Sequence, residues 1–159
     1  MIKKIIIITI LLNIGLISVF AQNNNPPQKK REVTIYLLKE IGDDEKYDPA
    51  NPLWLFPVKR QVSRDTPLSD ALKALVKGAN KQEAKRKYHS STFGIKFVSV
   101  SQKNGEVIAR FTMPKSVSFS GDNGPSIFKE AVRTTAMQFK EVKKVIVSLD
   151  GATNFDNEY

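Results

Sequence analysis

The chain has 159 residues, with 25 Lys and Arg, 16 Asp and Glu, one His and no Cys, and a formal net charge of +9. This length supports one domain with a hydrophobic core, and 41% hydrophobic residues exclude a disordered chain. Without cysteine the chain has no disulfide, thiolate zinc site or cysteine nucleophile, and one histidine argues against a histidine metal site or a Ser-His-Asp triad. We therefore expect no catalytic centre, metal or cofactor.

The N-terminus has the pattern of a secretory signal peptide, predicted over residues 1–21. Lys3 and Lys4 precede an apolar stretch at residues 5–20, which is shorter than the ~20 uninterrupted apolar residues of a membrane span. Ala21 suits the position before cleavage. An uncleaved anchor helix is the alternative. A signal peptide predicts an extracytoplasmic domain, either periplasmic or secreted. No cysteine lies near the cleavage junction, so we expect that the protein is not a lipoprotein.

Export changes what the net charge implies. Removing residues 1–21 takes away Lys3 and Lys4 and no acidic residue, so the remaining chain would carry +7. Nucleic acid is then not an expected partner. Anionic wall polymers and phospholipid headgroups are the anionic surfaces that an exported protein meets.

The first half of the domain begins with strand patterns. Residues 22–31 are polar and contain prolines, as is typical of a flexible linker. Alternating apolar residues predict a strand over residues 32–39. Residues 54–62 predict a second extended segment, broken or placed at a sheet edge by Pro57.

A helix follows these strands. Thr66 is a suitable cap, Pro67 suits the first helical position, and Gly78 is placed to end the helix. Residues 80–87 could form a short polar helix. The apolar stripe of the first helix consists of Leu68, Ala71, Leu72, Leu75 and Val76.

The second half contains the clearest local signal of the chain. Residues 96–101 and 106–112 alternate, and Asn104-Gly105 between them supplies the positive φ angles of a tight hairpin turn. A second long helix begins at Gly124, with a stripe of Phe128, Ala131, Val132, Thr135 and Phe139. A last strand covers residues 144–149, and residues 152–159 are predicted to be a disordered tail.

The predicted order is β-β-α-(short α)-β-β-α-β. Helices mixed with mainly hairpin-connected strands favour an α+β fold. We expect a two-layer sandwich, in which a mixed or antiparallel sheet of about four to five strands carries the two main helices on one face. The domain is predicted over residues 32–151.

In this order, four segments resemble the GerMN domain family. No segment is diagnostic alone, but together they extend over nearly the whole predicted domain. They are the strand of residues 56–62, the helix of residues 67–78, the hairpin of residues 94–111, and residues 138–147 followed by Asp150-Gly151.

The resemblance has departures and consequences. Ala79 and Phe93 stand where the family usually has proline, and Arg110 stands where the family has an acidic residue. The lipobox of lipid-anchored relatives is missing, so membrane tethering is not implied. The resemblance implies an extracytoplasmic module, similar to ring-building folds of envelope assemblies, that serves as an adaptor or scaffold. The family has no established catalytic residues.

Two groups of residues are candidates for a binding surface. The densest basic region suits an anionic polymer, an acidic partner or a headgroup, although a charge run is also typical of a solvated helix face. Trp54 and Phe56 lie in the most apolar segment outside the periodic elements, which fits core packing or an exposed edge that binds a partner. The basic residues are Lys73, Lys77, Lys81, Lys85, Arg86 and Lys87.

Two other patterns are better explained without chemistry. His89, beside Ser90 and Ser91, has no partner at catalytic spacing and is interpreted as a loop histidine. An acidic cluster lacks the ligand spacing and central glycine of an EF-hand, so it is interpreted as a solvated loop rather than a calcium site. The cluster is Asp43, Asp44, Glu45 and Asp48.

Two functional hypotheses remain. The leading one is an exported non-enzymatic GerMN-like domain that binds another envelope protein or copies of itself, in sporulation, germination or envelope assembly. The alternative is binding of anionic wall polymer or membrane headgroups through the basic helix surface. A wall hydrolase is a third option that only the predicted location supports.

Overall fold

The computed structural model describes residues 29–40, 48–119 and 121–155. The α+β class is confirmed, with both long helices and the hairpin where the sequence predicted them. The elements in chain order are β1 (Lys30–Lys39), β2 (Leu55–Ser63), α1 (Pro67–Lys77), α2 (Lys81–Lys85), β3 (Tyr88–His89), β4 (Lys96–Lys103), β5 (Glu106–Thr112), α3 (Gly124–Met137) and β6 (Lys144–Leu149).

The strands form two sheets, where the sequence suggested a single sheet of about four to five strands. Sheet A has the strand order β2-β1-β3 and is antiparallel throughout. Sheet B has the order β4-β5-β6, with β4 antiparallel to β5 and β5 parallel to β6. Helix α3 makes the crossover that a parallel pair requires.

The β1 edge that faces away from β2 accounts for the separation of the sheets. Gln138 replaces a neighbouring strand there: its side-chain amide accepts a hydrogen bond from the Thr34 N–H (2.8 Å) and donates one to the Thr34 C=O (2.7 Å). The Ser91 hydroxyl donates to the Tyr36 C=O (2.7 Å), and β3 pairs at Leu38. Because these groups occupy the edge, no strand of sheet B pairs with β1.

The two long helices contact each other and both sheets. Their predicted apolar stripes face the core, because Leu68, Ala71, Leu72 and Leu75 of α1 and Phe128, Ala131, Val132 and Thr135 of α3 are all buried. Burial of each large apolar side chain contributes about 1.5–3 kcal/mol. An aromatic cluster continues this core, with ring centroids 5.1 to 6.3 Å apart between Phe111, Phe119, Phe128 and Phe155.

The ends of α1 differ in how well local signals predicted them. Pro67 begins the helix as expected, but the Thr66 hydroxyl does not cap it. That hydroxyl donates to Oδ2 of Asp70 (2.8 Å) instead of accepting from a helix N–H. Gly78 ends the helix with a φ of 73°, and a Cβ there would lie 3.3 Å from Cβ of Ser90.

The hairpin turn at Asn104-Gly105 is confirmed, with φ angles of 52° and 83°. The pairing of β4 with β5 shifts register between Phe97 and Ser99, which makes Val98 the extra residue of a β-bulge. Val98 is 57% exposed. A bulge re-aims a side chain, so a valine inside an otherwise alternating strand faces solvent.

The domain extends beyond its predicted limits at both ends. β1 begins at Lys30, inside the predicted linker, and the predicted disordered tail is packed as far as Phe155, which is buried. Residues 1–28, with the predicted signal peptide, and residues 156–159 lie outside the described residues. Within the described part, no helix combines the length and apolar character needed to cross a membrane.

Candidate functional site

The predicted basic surface is built on α2, which an ion pair fastens to sheet A. Arg60 of β2 donates to both carboxylate oxygens of Glu83 (2.6 Å each) and to the C=O of Gly78 (3.2 Å). Asn80 and Glu83 also form a capping box at the start of α2. Hydrogen bonds from Arg60 lower the pKa of Glu83 below its usual value. Glu83 is the buried side chain of this five-residue helix, so its ion pair determines where α2 lies.

The side chains around this anchor point toward solvent. Arg86 lies 5.9 Å from the centre of the Tyr88 ring, and Nζ of Lys87 lies 3.7 Å from Glu40. Lys73 of α1 pairs with Asp70 at 3.0 Å. The exposed cations of the region are Lys73, Lys77, Lys81, Lys85, Arg86 and Lys87, and the structure places them on α1, α2 and the turn into β3.

The aromatic pair at the start of β2 is half-buried. Trp54 has a φ of 54°, and its C=O accepts from the Lys39 N–H. Phe56 pairs with Leu37, and Nζ of Lys39 lies 5.5 Å from its ring centre. The two aromatic residues therefore lie beside β1 and do not form a continuous exposed strand edge.

Neighbouring side chains close the first part of the free edge of β2, whereas the outward N–H of Gln61 lies on the part that they leave uncovered. The Asn51 side chain donates to the Leu55 C=O (3.1 Å) and accepts from the Leu55 N–H (3.0 Å). Pro57 lacks an N–H, and the Lys59 C=O accepts from Arg60 (3.0 Å). Pro57 pairs with β1 without interrupting the ladder, so β2 is an unbroken edge strand.

A surface that sequence reasoning missed lies on the outer face of sheet B. Val98, Ile108 and Ile146 line a concavity of about 620 Å³, with Arg110 and Asp150 among its polar residues. Arg110 donates to the Ser101 hydroxyl (3.2 Å), so it lies along the sheet. The sequence signal was the placement of Ile108 opposite the buried face of β5, but Val98 joins it only through the bulge.

A second concavity, of about 340 Å³, lies between α3 and the segment before β2. Its lining includes Tyr36, Leu53, Leu55, Glu130 and Thr134. Arg133 donates to both carboxylate oxygens of Glu130 (2.7 Å each), and Thr134 donates to one of them (2.9 Å). Hydrogen bonds from Arg133 lower the pKa of Glu130. Because its oxygens are engaged, this carboxylate is not a free proton acceptor.

The residues considered for catalysis or metal binding are separated. The His89 side chain is exposed and lies 3.6 Å from Glu40, while the Ser91 hydroxyl bonds to the backbone of β1. Of the acidic cluster only Asp48 is described, and it accepts from the Ala50 N–H (2.8 Å). Within the described ranges, no three His, Asp or Glu side chains are grouped to hold a metal ion.

A family model supplies the identification. The model described as "Germane: Sporulation and spore germination" matches residues 34–155. The chain belongs to this family. The match includes Phe155, in agreement with the packing of that residue in the core.

Solved structures show the same fold for this Germane domain. The tandem GerMN domains of the sporulation protein GerM from Bacillus subtilis match with a TM-score of 0.54 and 20% identity, over 77% of this chain and 40% of that chain. The first GerMN domain of that protein matches with a TM-score of 0.52 and 15% identity, over 77% of this chain and 85% of that chain. No curated protein matches the chain.

The family-like segments of this Germane domain hold the fold together. Gly78 ends α1, and Gln138 closes the β1 edge. Asp150, at the end of the last segment, accepts from the Thr112 hydroxyl (2.6 Å) and the Met113 N–H (3.2 Å), which ties the end of β6 to the end of β5. These family-like residues therefore have structural roles in the fold.

Proposed function

We propose that this Germane domain is an exported, non-enzymatic module that binds another protein of the cell envelope. The observation that carries the proposal is the outer face of sheet B, where Val98, Ile108 and Ile146 contribute apolar surface to a concavity that also has polar lining residues. The helices cover the opposite face of the sheet, so this face is available to a partner. Apolar residues that share an exposed surface mark interaction sites on soluble proteins.

Affinity capture tests this proposal. A tagged full-length chain would be expressed in its own organism and crosslinked gently, and the envelope would then be solubilised. We expect a specific partner whose recovery falls at least about tenfold when Ile108 and Ile146 are both changed to Lys, because charges then occupy the apolar surface. Gln61→Lys with Ser116→Lys is the control, because it adds the same charge at exposed positions outside the concavity. Equal recovery by all three proteins would contradict the proposal.

A second function has its own support in the α2 surface. Lys81 and Lys85 project from α2, which the Arg60–Glu83 pair fixes in place, and Arg86 and Lys87 follow in the turn to β3; this group of cations suits anionic wall polymer or phospholipid headgroups. We expect cosedimentation with vesicles containing phosphatidylglycerol that falls steeply with salt.

Charge reversal tests this alternative. Changing Lys85, Arg86 and Lys87 to Glu should abolish sedimentation with those vesicles, since the attraction is electrostatic. Lys29→Glu, Lys115→Glu and Lys140→Glu together make a control of equal charge at other exposed positions. Equal losses in the two triple variants would indicate a net-charge effect and contradict a specific α2 surface.

A further inference from the structure

Alternate residues of a strand direct their backbone N–H and C=O groups to opposite neighbours, and this alternation shows which backbone groups of β4 face outward. The Asp150 N–H donates to the Phe111 C=O, so the odd-numbered residues of β5 bond toward β6. The even-numbered residues of β5 therefore bond toward β4, where their partners are Ser99 and Ser101. The residues of β4 between and after these two direct their N–H and C=O groups away from the sheet.

Those residues are Val100 and Gln102. Among the residues that the structure describes, none forms a hydrogen bond with the outward backbone groups of either one. Val100 is half-buried and Gln102 is exposed, so an incoming chain can reach them. β4 is thus an open strand edge, and open edges are templates for pairing with another chain.

The other edge of sheet B is less accessible. The Leu149 N–H and C=O both bond to Ala152, which occupies the position of a next strand. Val147, the preceding outward residue of β6, is only 2% exposed. Val145, the first outward residue of β6, is half-buried, so β4, with the exposed Gln102, is the more accessible edge of sheet B.

Charge distinguishes the occupants of that edge. Lys96 and Lys103 stand at the two ends of β4 and are exposed, and no acidic side chain of the described ranges pairs with either. Two copies of this positively charged chain would bring these lysines together. The bulge at Val98 also opposes flat self-pairing, as bulges do on protected edges. An acidic segment complements both lysines.

We propose that β4 is the docking edge for an extended acidic segment of a partner protein, which adds a fourth strand to sheet B. Its backbone pairs with Val100 and Gln102, and its acidic side chains face Lys96 and Lys103. This is β-strand addition, in which main-chain bonds supply affinity and side chains supply specificity. The inference rests on the proposed function, because it names the chemistry of the envelope partner.

Amide exchange with a defined probe tests the docking edge. The probe is a synthetic nine-residue peptide of alternating Val and Glu, and the control peptide has Lys in place of Glu. We expect the acidic peptide to slow exchange of the Val100 and Gln102 N–H groups at least about tenfold, less so at high salt. The Gln61 N–H, on the edge of β2, should not change. Equal protection by the Lys peptide, or no protection at Val100, would overturn the proposal.

Two variants separate edge pairing from general attraction. Val100→Pro removes an outward N–H without touching the β5 ladder, as the natural Pro57 does on β2, and should abolish protection at Gln102. Lys96→Glu with Lys103→Glu leaves the backbone intact and should reverse the preference between the two peptides, even if the proline variant does not fold. Lys59→Glu with Lys115→Glu is the matched control. Unchanged preference in the first double variant would overturn the proposal.

Photocrosslinking in cells distinguishes failure of this inference from failure of the proposed function. A photoreactive residue would replace Val98 in one strain and Gln61 in another, and the crosslinked peptide would be sequenced. An acidic, extended partner segment attached at position 98 supports the docking edge. A partner attached only at position 61, or a second copy of this chain at position 98, overturns it and leaves protein binding intact. No crosslink from either site, together with failed affinity capture, overturns both.

Discussion

Sheet A and sheet B each have three strands, yet their edges are treated differently. In sheet A, side chains from other parts of the chain fill one position on each edge: Gln138 at Thr34 of β1 and Asn51 at Leu55 of β2 each mimic a neighbouring strand with one donor and one acceptor. In sheet B, the β4 edge carries a bulge and two lysines, and no residue of the described ranges bonds to the outward backbone groups of Val100 and Gln102. Side chains that bond to the outward backbone groups prevent an edge from pairing with another chain. Charged side chains along an edge instead restrict which chains can pair with it.

The faces of the two sheets repeat the difference. Sheet A has a half-buried aromatic pair and an ion pair that fix its neighbours in place. Sheet B exposes Val98 and borders a concavity of about 620 Å³. Side-chain contacts therefore fix the neighbours of sheet A at these positions, whereas sheet B exposes an apolar side chain on its outer face.

The strongest test of the closed edge is Gln138→Leu. We expect a loss of about 2–4 kcal/mol in the free energy of unfolding, because the N–H and C=O of Thr34 then lose their partners in a half-buried place. Urea denaturation followed by circular dichroism measures it. Gln138→Glu keeps the acceptor but not the donor, so its free energy of unfolding should lie between those of Gln138→Leu and wild type. A loss below about 0.5 kcal/mol would show that water replaces the amide.

The ion pair of sheet A predicts a smaller, pH-dependent effect. Glu83→Gln should cost about 1–3 kcal/mol at pH 7, because Arg60 loses a charged partner where the two side chains are only 19% and 12% exposed. The folded-state pKa of Glu83 lies below the ordinary value of 4.5, so its contribution is present above pH 4.5 and is lost as pH falls through the folded pKa. The difference between wild type and variant should therefore shrink toward pH 3.

Denaturation at pH 7, 5 and 3 measures this dependence. The matched control is Glu32→Gln, whose partner Lys59 lies 3.1 Å away in an exposed pair and should matter by less than about 0.5 kcal/mol. A constant difference between wild type and Glu83→Gln across the pH range would contradict the assignment.

Removing the two features that close the first part of the β2 edge should allow β2 to pair with other copies of the chain. Asn51→Ala with Pro57→Val exposes the Leu55 backbone groups and adds a donor, with a stability change of about 1–2 kcal/mol. Sedimentation velocity should show concentration-dependent association above that of wild type, because an unprotected edge pairs with other copies. Asn51→Ala alone, which retains Pro57, is the control. Identical sedimentation of the double variant and wild type would show that other features protect β2.

The smallest effect on stability is expected at Val98. Val98→Thr should change the free energy of unfolding by less than about 0.5 kcal/mol, since the side chain is 57% exposed. Val107→Thr, the same substitution on the fully buried face of sheet B, should cost about 1–3 kcal/mol. Thermal denaturation of the pair sharpens the contrast between the two faces of one sheet. Equal costs would mean that Val98 belongs to the core.

Local signals predicted the elements well where the cause was local. Asn104-Gly105 determines a turn because both residues tolerate positive φ, and Gly78 ends α1 for the same reason. Thr66 failed as a cap because Asp70, one turn later, took its hydroxyl. β3 was not predicted because a two-residue strand has no periodicity of its own and exists only by pairing with β1.

Of the candidate surfaces, the sequence likewise predicted the one with a local cause and missed the one that depends on tertiary structure. The sequence predicted that the cations of α2 are exposed, because a dense run of charged residues is rarely buried. The exposure of Val98 could not be predicted from the sequence. The alternating pattern of residues 96–101 indicates a regular strand, and only the bulge turns Val98 outward. Neither the closure of β2 by Asn51 nor the opening of β4 leaves a mark in composition or periodicity.

The sequence by itself determined the α+β class, the two amphipathic helices, the hairpin and the family, since each rests on residues that are close together in the chain. Tertiary structure decided how the strands are shared between two sheets and which edges stay open. Gln138 meets Thr34 across 104 residues, and such a contact follows from packing rather than from any local propensity. An edge is open or closed according to what folds beside it, so the surface proposed for partner binding could be found only in three dimensions.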